Sequence, residues 1–485
     1  MSFLLLEANN IEKYFADAQI LNVKNFKIYV GDRIGFVGTN GSGKTTLLNI
    51  LAGEIQPDGG TIHRNCDIAY IRQFGDITSE SGNMHKLGEY GVLDKLESPV
   101  ISGGEKTRVK IAQVFGETHR LVFADEPTSN LDIQGIKQFE SELSQLDSFI
   151  LISHDRELLN RFCNRIMTIE NHDVIVYEGD FDTYKHQSAA RQERAIFEYE
   201  QYANEKERLQ KVYKDKKAKA AKTTKKPKGM SSSEMKQRAF TASSRSYDGR
   251  QKRADQVAKA VQARIDQMDV KEKPREAPII KLDFALTDPP RGKIIFSGEN
   301  ISFAHGERVL FHDAEFVVEN GAKVALQGIN GSGKTTLLNM ISSGDFTRAP
   351  KANIGYFRQG FEQLDMSKTL HENAMADSVQ SETTVRSVLA RLLFARNTIG
   401  KVTGMLSGGE RVKLALAKLL VSKCNVLLLD EPTNYLDMPS LEVLQAILQE
   451  YEGTLMFVSH DRAFVDAICT ETLLVQGKKL VRIQR

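Results

Sequence analysis

The stretch "VGTNGSGKTTLLNILAGE", Val37 to Glu54, decides the fold, and it occurs nearly twice: "QGINGSGKTTLLNMISSG" runs from Gln327 to Gly344. Each copy contains G-x-x-x-x-G-K-T, at Gly38–Thr45 and Gly328–Thr335. Before each comes an alternating apolar strand pattern and a short apolar strand, "ILNVKNFKIYVGDRIGF" and "VLFHDAEFVVENGAKVAL"; after each comes an amphipathic helix. Strand, glycine loop and helix make a phosphate cradle. Glycines let backbone N–H groups turn onto phosphate oxygens, and the helix N-terminus adds the positive end of its dipole. Gly38, Asn40, Gly41 and Gly43 form one cradle, and Gly328, Asn330, Gly331 and Gly333 the other. Lys44 and Lys334 are placed to reach the β and γ phosphates of ATP, and Thr45 and Thr335 to ligate Mg2+, with Thr46 and Thr336 next in line.

Further along each half an apolar run ends in two carboxylates: "LVFADEPTSNLD", with Asp125 and Glu126, and "VLLLDEPTNYLD", with Asp430 and Glu431. Such a run fits a buried parallel strand whose C-terminal end opens at the site. Asp125 and Asp430 are placed to hold Mg2+, and Glu126 and Glu431 to orient and polarise the attacking water. Both glutamates are present, so two hydrolytic sites are expected.

With 485 residues, 41% of them hydrophobic and 26% charged, the chain has room for two or three cored domains. No run of about 18 apolar residues suits a bilayer, and "MSFLLLEANN" lacks the features of a signal peptide, so a soluble cytoplasmic protein is expected. Cys66, Cys163, Cys424 and Cys469 are too scattered for a disulfide framework or a zinc site. Charge is concentrated in one place. Lys206 to Arg253 holds 17 Lys and Arg against 4 Asp and Glu, or +13 in a chain of net +2, which leaves −11 on the rest. A polyanionic partner is implied for that segment.

"ISGGEKTRVKIA" from Ile101 and "LSGGERVKLALA" from Leu406 are similar to the signature of the ATP-binding-cassette family, and they stand between loop and carboxylate pair as in that family. Gln73 in "AYIRQ" and Gln359 in "GYFRQ" match its Q-loop and join the implied Mg2+ ligands; His154 and His460 match its switch histidine. Tyr14 or Phe15, and Phe303, are the aromatic candidates for stacking on adenine. The resemblance covers roughly 1–185 and 291–485 and implies that each ATP lies between the loop of one cassette and the signature of the other. Lys44 then works with Ser407, Gly408 and Gly409, and Lys334 with Ser102, Gly103 and Gly104. A single chain is thus expected to function as a monomer through pairing of its own cassettes.

The segment 186–290 breaks the cassette pattern. Ile196, Tyr199, Leu209 and Tyr213 share one helical face, and Val257, Val261, Ile265 and Met268 another, so two helices are expected. Pro227, Gly229 and serine-rich stretches between them predict an antiparallel hairpin whose tip carries Met230, Met235, Phe240 and Tyr247, suited to packing on unpaired bases. The fold class is therefore α/β, two P-loop cassettes joined by a long helical hairpin.

This combination resembles the ABC-F proteins, whose linker enters the tRNA exit site of the 70S ribosome and contacts P-site tRNA. Between the repeats, the Q-loop to signature interval of the first half is 19 residues shorter, since Gln73 and Ser102 are 29 apart and Gln359 and Ser407 are 48 apart. Housekeeping members commonly carry an arm there. Its absence resembles the antibiotic-resistance branch, whose linker tip reaches toward the peptidyl-transferase centre of 23S rRNA and whose action releases lincosamide, streptogramin A, pleuromutilin or macrolide drugs. A housekeeping translation factor, the energy subunit of a membrane transporter and a DNA-repair ATPase are the alternatives.

Overall fold

In each half, a six-stranded sheet puts the phosphate loop and the carboxylate pair at the same edge. The first runs, in spatial order, Ile68–Ile71, Leu121–Asp125, Phe149–Ile152, Arg33–Phe36, Arg165–Glu170 and Asp173–Glu178. Its first five strands are parallel and the last antiparallel. The second repeats this with Ile354–Phe357, Val426–Asp430, Thr454–Val458, Lys323–Gln327, Glu471–Gln476 and Lys479–Gln484. The carboxylate strands Leu121–Asp125 and Val426–Asp430 are buried along their whole length, as a parallel strand covered on both faces requires. A three-stranded antiparallel sheet flanks each: Ala18–Tyr29, Leu4–Phe15 and Gly59–Arg64 in the first half, Arg308–Glu319, Ile294–His305 and Thr347–Arg348 in the second.

The computed structural model describes residues 3–73, 84–93, 101, 103–129, 131–223, 256–271, 282–358 and 360–484. The chain divides into two compact units, one of residues 1–184 and 277–485, the other Lys185–Glu276. The helix Phe181–Thr223, which belongs to the second unit from Lys185 onward, lies there beside the helical residues 256–266. Glu205 pairs with Arg264 at 3.6 Å and Glu198 with Lys271 at 3.4 Å, so partner numbers fall as the first helix rises and the two run antiparallel. Leu209 is buried as expected. Ala258 is buried instead of its neighbour Val257, which is 44% exposed. Met230, Met235, Phe240 and Tyr247 lie outside the described residues.

One boundary needs correction. Residues 282–290, counted above with the linker, pack on the second cassette. A 3-10 turn, Phe284–Thr287, sets Phe284 edge-on to Tyr451 at 5.5 Å. Gln380 locks its start: Asp283 N–H donates to Gln380 Oε1 at 3.2 Å, and Gln380 Nε2 donates to Asp283 O at 2.9 Å. Buried Asn425 holds its end, donating to Thr287 O at 3.1 Å. The signal was hidden because Gln380 and Asn425 are distant in sequence.

Candidate ATP sites

The loop and its helix are joined at a glycine that nothing larger could replace. Gly43 and Gly333 cap the helices Lys44–Ala52 and Lys334–Ser343 at φ 98° and 105°, a left-handed conformation costly for other residues. A Cβ on Gly43 would meet Ile20 Cγ2 at 2.9 Å, and one on Gly333 would meet Phe311 Cζ at 2.9 Å. Each lysine folds back over its loop. Lys44 Nζ donates to Gly38 O and Thr39 O at 2.9 Å, and Lys334 Nζ to Gly328 O at 2.9 Å and Ile329 O at 3.1 Å. Burial pushes both ammonium pKa values down, against the pull of Glu126, Asp437 and Asp125 on Lys44 and of Glu431, Asp132 and Asp430 on Lys334.

The residues present fit a nucleotide triphosphate. Ser42 Oγ and Ser332 Oγ, in equivalent places in the two loops, are buried and without a hydrogen-bond partner among the described residues. Buried, unpartnered hydroxyls in a glycine-rich loop suit phosphate oxygens. Thr45 Oγ1 donates to Asp125 Oδ2 at 2.7 Å, and Thr335 makes the equivalent side-chain bond to Asp430. Hydroxyl and carboxylate are thus paired where a hard cation takes oxygen ligands.

Glu126 and Glu431 follow the buried strands in the left-handed region, at φ 49° and 52°. That conformation is uncommon for a side chain this size and is held by the turn that follows, where Ser129 Oγ donates to Glu126 O at 2.7 Å. The turn brings Glu126 Oε1 to 3.0 Å from His154 Nε2, and Glu431 Oε1 to 3.2 Å from His460 Nε2. Burial, reinforced by the adjacent aspartate, pushes the carboxyl of Glu126 up to about 8 and that of Glu431 up to about 7. Burial, helped by the nearby lysine, pushes both imidazoles down to about 4. Near neutrality the imidazoles are therefore neutral, and the carboxyls sit in the range useful to a general base.

Contacts between the cassettes complete the picture. Asn40 N–H donates to Asp437 Oδ2 at 2.8 Å, and Asn40 Nδ2 to Tyr435 O at 2.8 Å. In the other direction, Asn330 N–H donates to Asp132 Oδ2 at 3.4 Å. Gly409 of the second signature lies against the first loop, where an added Cβ would meet Asn40 Nδ2 at 3.1 Å. Ser407 caps the helix Gly408–Val421, its hydroxyl held by Glu410 at 2.9 Å. Gly103 and Gly104 open the helix Gly103–Val114, while Ser102 and Gln359 lie outside the described residues. Gln73 follows the strand Ile68–Ile71, its carbonyl 3.5 Å from Lys110 Nζ.

Two features were missed in the sequence. Asp132 and Asp437 each serve twice: Oδ1 caps its own helix, accepting from Gly135 N at 2.9 Å and Ser440 N at 3.0 Å, while Oδ2 accepts from the other cassette's loop. The signal was present, since both quoted carboxylate runs end in Leu-Asp. Phe303, the aromatic candidate of the second half, is partly buried. Irregularities on both sides of it in the strand pair turn it against the core of its own cassette. Counted from Gly38 and Gly328, its counterpart is Lys13, and His305 stands where Phe15 stands. Phe15 pairs with Ala18 and His305 with Arg308 at the hairpin ends, and Phe15 is 52% exposed. Tyr14 is 40% exposed, with its hydroxyl accepting from Gln19 at 2.9 Å.

Comparison with known proteins agrees with this geometry. The ABC transporter family model matches residues 21–129 and 311–434. The ribosome protection protein VmlR of Bacillus subtilis is 30% identical over 98% of this chain and 87% of its own length. The erythromycin resistance ATP-binding protein MsrA of Staphylococcus epidermidis is also 30% identical, over 98% of both chains. A solved structure of RNase-L Inhibitor superposes with a TM-score of 0.61 at 18% identity, covering 96% of this chain and 87% of that one. No helix among the described residues is long and apolar enough to cross a membrane.

Proposed function

The chain belongs to the ABC-F family of paired ATP-binding-cassette ATPases, and from that premise we propose that it is a ribosome protection ATPase. It hydrolyses ATP. In this reading it binds the 70S ribosome at the tRNA exit site as a cytoplasmic monomer, shifts P-site tRNA, promotes release of a drug bound near the peptidyl-transferase centre of 23S rRNA, and leaves after hydrolysis. The observation that carries the proposal is the crossing of the sites, each loop asparagine bonded to an aspartate of the other cassette, in a chain alike over almost its full length to VmlR and MsrA.

The chemistry follows from the side chains. Lys44 and Lys334 leave their own loop carbonyls for phosphate oxygens, and the signature helices present N–H groups from the opposite side. Thr45 with Asp125, and Thr335 with Asp430, would hold Mg2+, aided by Gln73 and Gln359; the ion would neutralise phosphate charge. Glu126 and Glu431 accept the proton of the attacking water, and the backbone N–H groups of His154 and His460 donate to that carboxyl, with the neutral imidazoles beside it. Because phosphate is gripped from both cassettes, its departure weakens the junction, and the hydrolysed state favours release. The linker tip, with Phe240 foremost, is the part assigned to the drug site.

Glu126→Gln with Glu431→Gln tests this. The double variant is expected to bind ATP, lose turnover by at least about 100-fold, and cosediment with 70S ribosomes when ATP is present. Sedimentation no better with ATP than without it rules out ribosome trapping. A strain lacking the protein that grows unaltered with each drug class, yet slowly without drug, assigns the chain to housekeeping translation instead.

A further inference from the structure

Both switch loops read Ser-His-Asp-Arg, Ser153–Arg156 and Ser459–Arg462. Three of the four residues act within their own cassette. The serine hydroxyl accepts from the aspartate N–H, at 3.0 Å in the first loop and 3.1 Å in the second. Asp155 and Asp461 cap the helices Arg156–Phe162 and Arg462–Ile468, accepting from Leu158 N at 3.1 Å and Phe464 N at 2.9 Å. The histidines face Glu126 and Glu431. The arginine is the odd member, since a cation at the first position of a helix meets the positive end of the helix dipole.

Its partners lie in the other cassette. Arg462 Nη1 is 3.2 Å from Glu140 Oε1 and 3.3 Å from Glu157 Oε2. Arg156 Nη2 is 3.5 Å from Glu442 Oε1. The Glu140 side chain is only 10% exposed, and its other oxygen takes Arg161 at 3.1 Å. Each arginine also opposes the effect of burial on the other loop's cap: Arg462 pulls the Asp155 carboxyl down, and Arg156 pulls down that of Asp461, which Asp155 pushes up. The arginine is common to both repeats, but its acceptors are not. Counting from Asp132 and Asp437, Gln445 stands where Glu140 would be and Lys137 where Glu442 would be, and Ala463 follows Arg462 where Glu157 follows Arg156.

We infer that Arg462 and Arg156 are positioning residues through which each switch histidine depends on contact with the opposite cassette, and that the His460 loop is held more firmly than the His154 loop. The loop between histidine and arginine is short, roughly 7 Å at full extension, and the serine and aspartate bonds leave it little freedom. Displacing the arginine therefore displaces the imidazole. Closure of the junction seats Arg462 between two carboxylates, one of them mostly shielded from solvent, where an ion pair is screened far less than at an open surface. Among the described residues Arg156 has one longer ion pair across the junction, more exposed at both ends than Arg462 with Glu140. An imidazole misplaced by about 1 Å is enough to slow hydrolysis.

The inference rests on the roles given to Glu126 and Glu431, which also supply the test. Glu126→Gln leaves only the Glu431 site active, and Glu431→Gln only the Glu126 site. In the first background Arg462→Gln is expected to lower kcat roughly ten-fold with KM for ATP nearly unchanged, and Arg462→Lys to recover part of the loss. In the second background Arg156→Gln lowers kcat by less than about three-fold. Glu140→Gln is expected to act in the same direction as Arg462→Gln, and the pair together to cost less than the product of the two losses. Equal kcat losses in the two backgrounds, a rise in KM with kcat kept, or full additivity overturns the inference. Steady-state ATPase with both glutamates intact decides it independently: Arg462→Gln is expected to lower the Hill coefficient for ATP, and an unchanged coefficient overturns the inference. Single-site variants that both turn over at the parental rate overturn only the glutamate roles.

Discussion

Glu126 and Glu431 are held where a carboxyl is least comfortable, buried, beside a second carboxyl and in a left-handed backbone conformation. Their pKa values, about 8 and about 7, lie above the ordinary 4.5, so between the two values the folded chain keeps protons that the unfolded chain has released. Their contribution to stability is present below about pH 4.5 and is lost as pH rises through 7 to 8. His154 and His460, lowered from 6.5 to about 4, act at the other end: the unfolded chain takes up protons first, and stability falls as pH drops below 6.5. The nucleotide-free protein should therefore melt at lower temperature at pH 8 than at pH 6, its stability falling by on the order of 1 kcal/mol per pH unit for each titrating group. Glu126→Gln with Glu431→Gln should flatten that alkaline limb and leave the acid limb in place. Parallel melting curves for variant and parent would show that these carboxyls are charged in the folded chain.

At the level of elements, the return segment Phe284–Thr287 illustrates how one buried amide can fasten a turn. Asn425 is 1% exposed; its Nδ2 donates to Thr287 O at 3.1 Å and Lys351 O at 3.0 Å, and its Oδ1 accepts from Asn353 N at 2.9 Å. Asn425→Ala strands these groups, at a cost of about 2 to 4 kcal/mol, and should raise hydrogen exchange at residues 284–288 before the rest of the second cassette. Uniform exchange across that cassette would mean the segment is held by Phe284 and Tyr451 instead. What the sequence disclosed follows the same logic. The cassette strands, phosphate loops and carboxylate pairs were legible because each depends on residues a few positions apart, in patterns printed twice. Asp132 and Asp437 were not, because a helix cap already explains an aspartate at that spot, and the second oxygen of Asp437 meets a partner 397 residues away. Around Phe303 the register shifts on both sides, so strand alternation does not tell which face its ring takes.

On the scale of the whole molecule, charge is divided as sharply as function. The +13 of Lys206–Arg253 belongs to a chain whose remaining residues sum to −11, so a polyanion is drawn to one segment and repelled by the rest. Such binding releases counterions, and its affinity falls steeply with salt in proportion to the phosphates neutralised. Lys211, Lys214 and Lys216 are exposed on the helix Phe181–Thr223, whereas Lys217 is partly occupied over the Tyr213 ring at 5.5 Å. Changing the first three to Gln removes charge without a buried contact, so the helix should persist and ATP turnover without ribosomes should stay within about two-fold of the parent. Ribosome binding by the ATP-trapped form should weaken, and the slope of log affinity against log salt should become shallower by about 2. Equal slopes with equal affinity would place the contact on another surface. An equal slope with weaker binding would point to shape at these positions, not charge, because only the loss of phosphate neutralisation changes the number of counterions released.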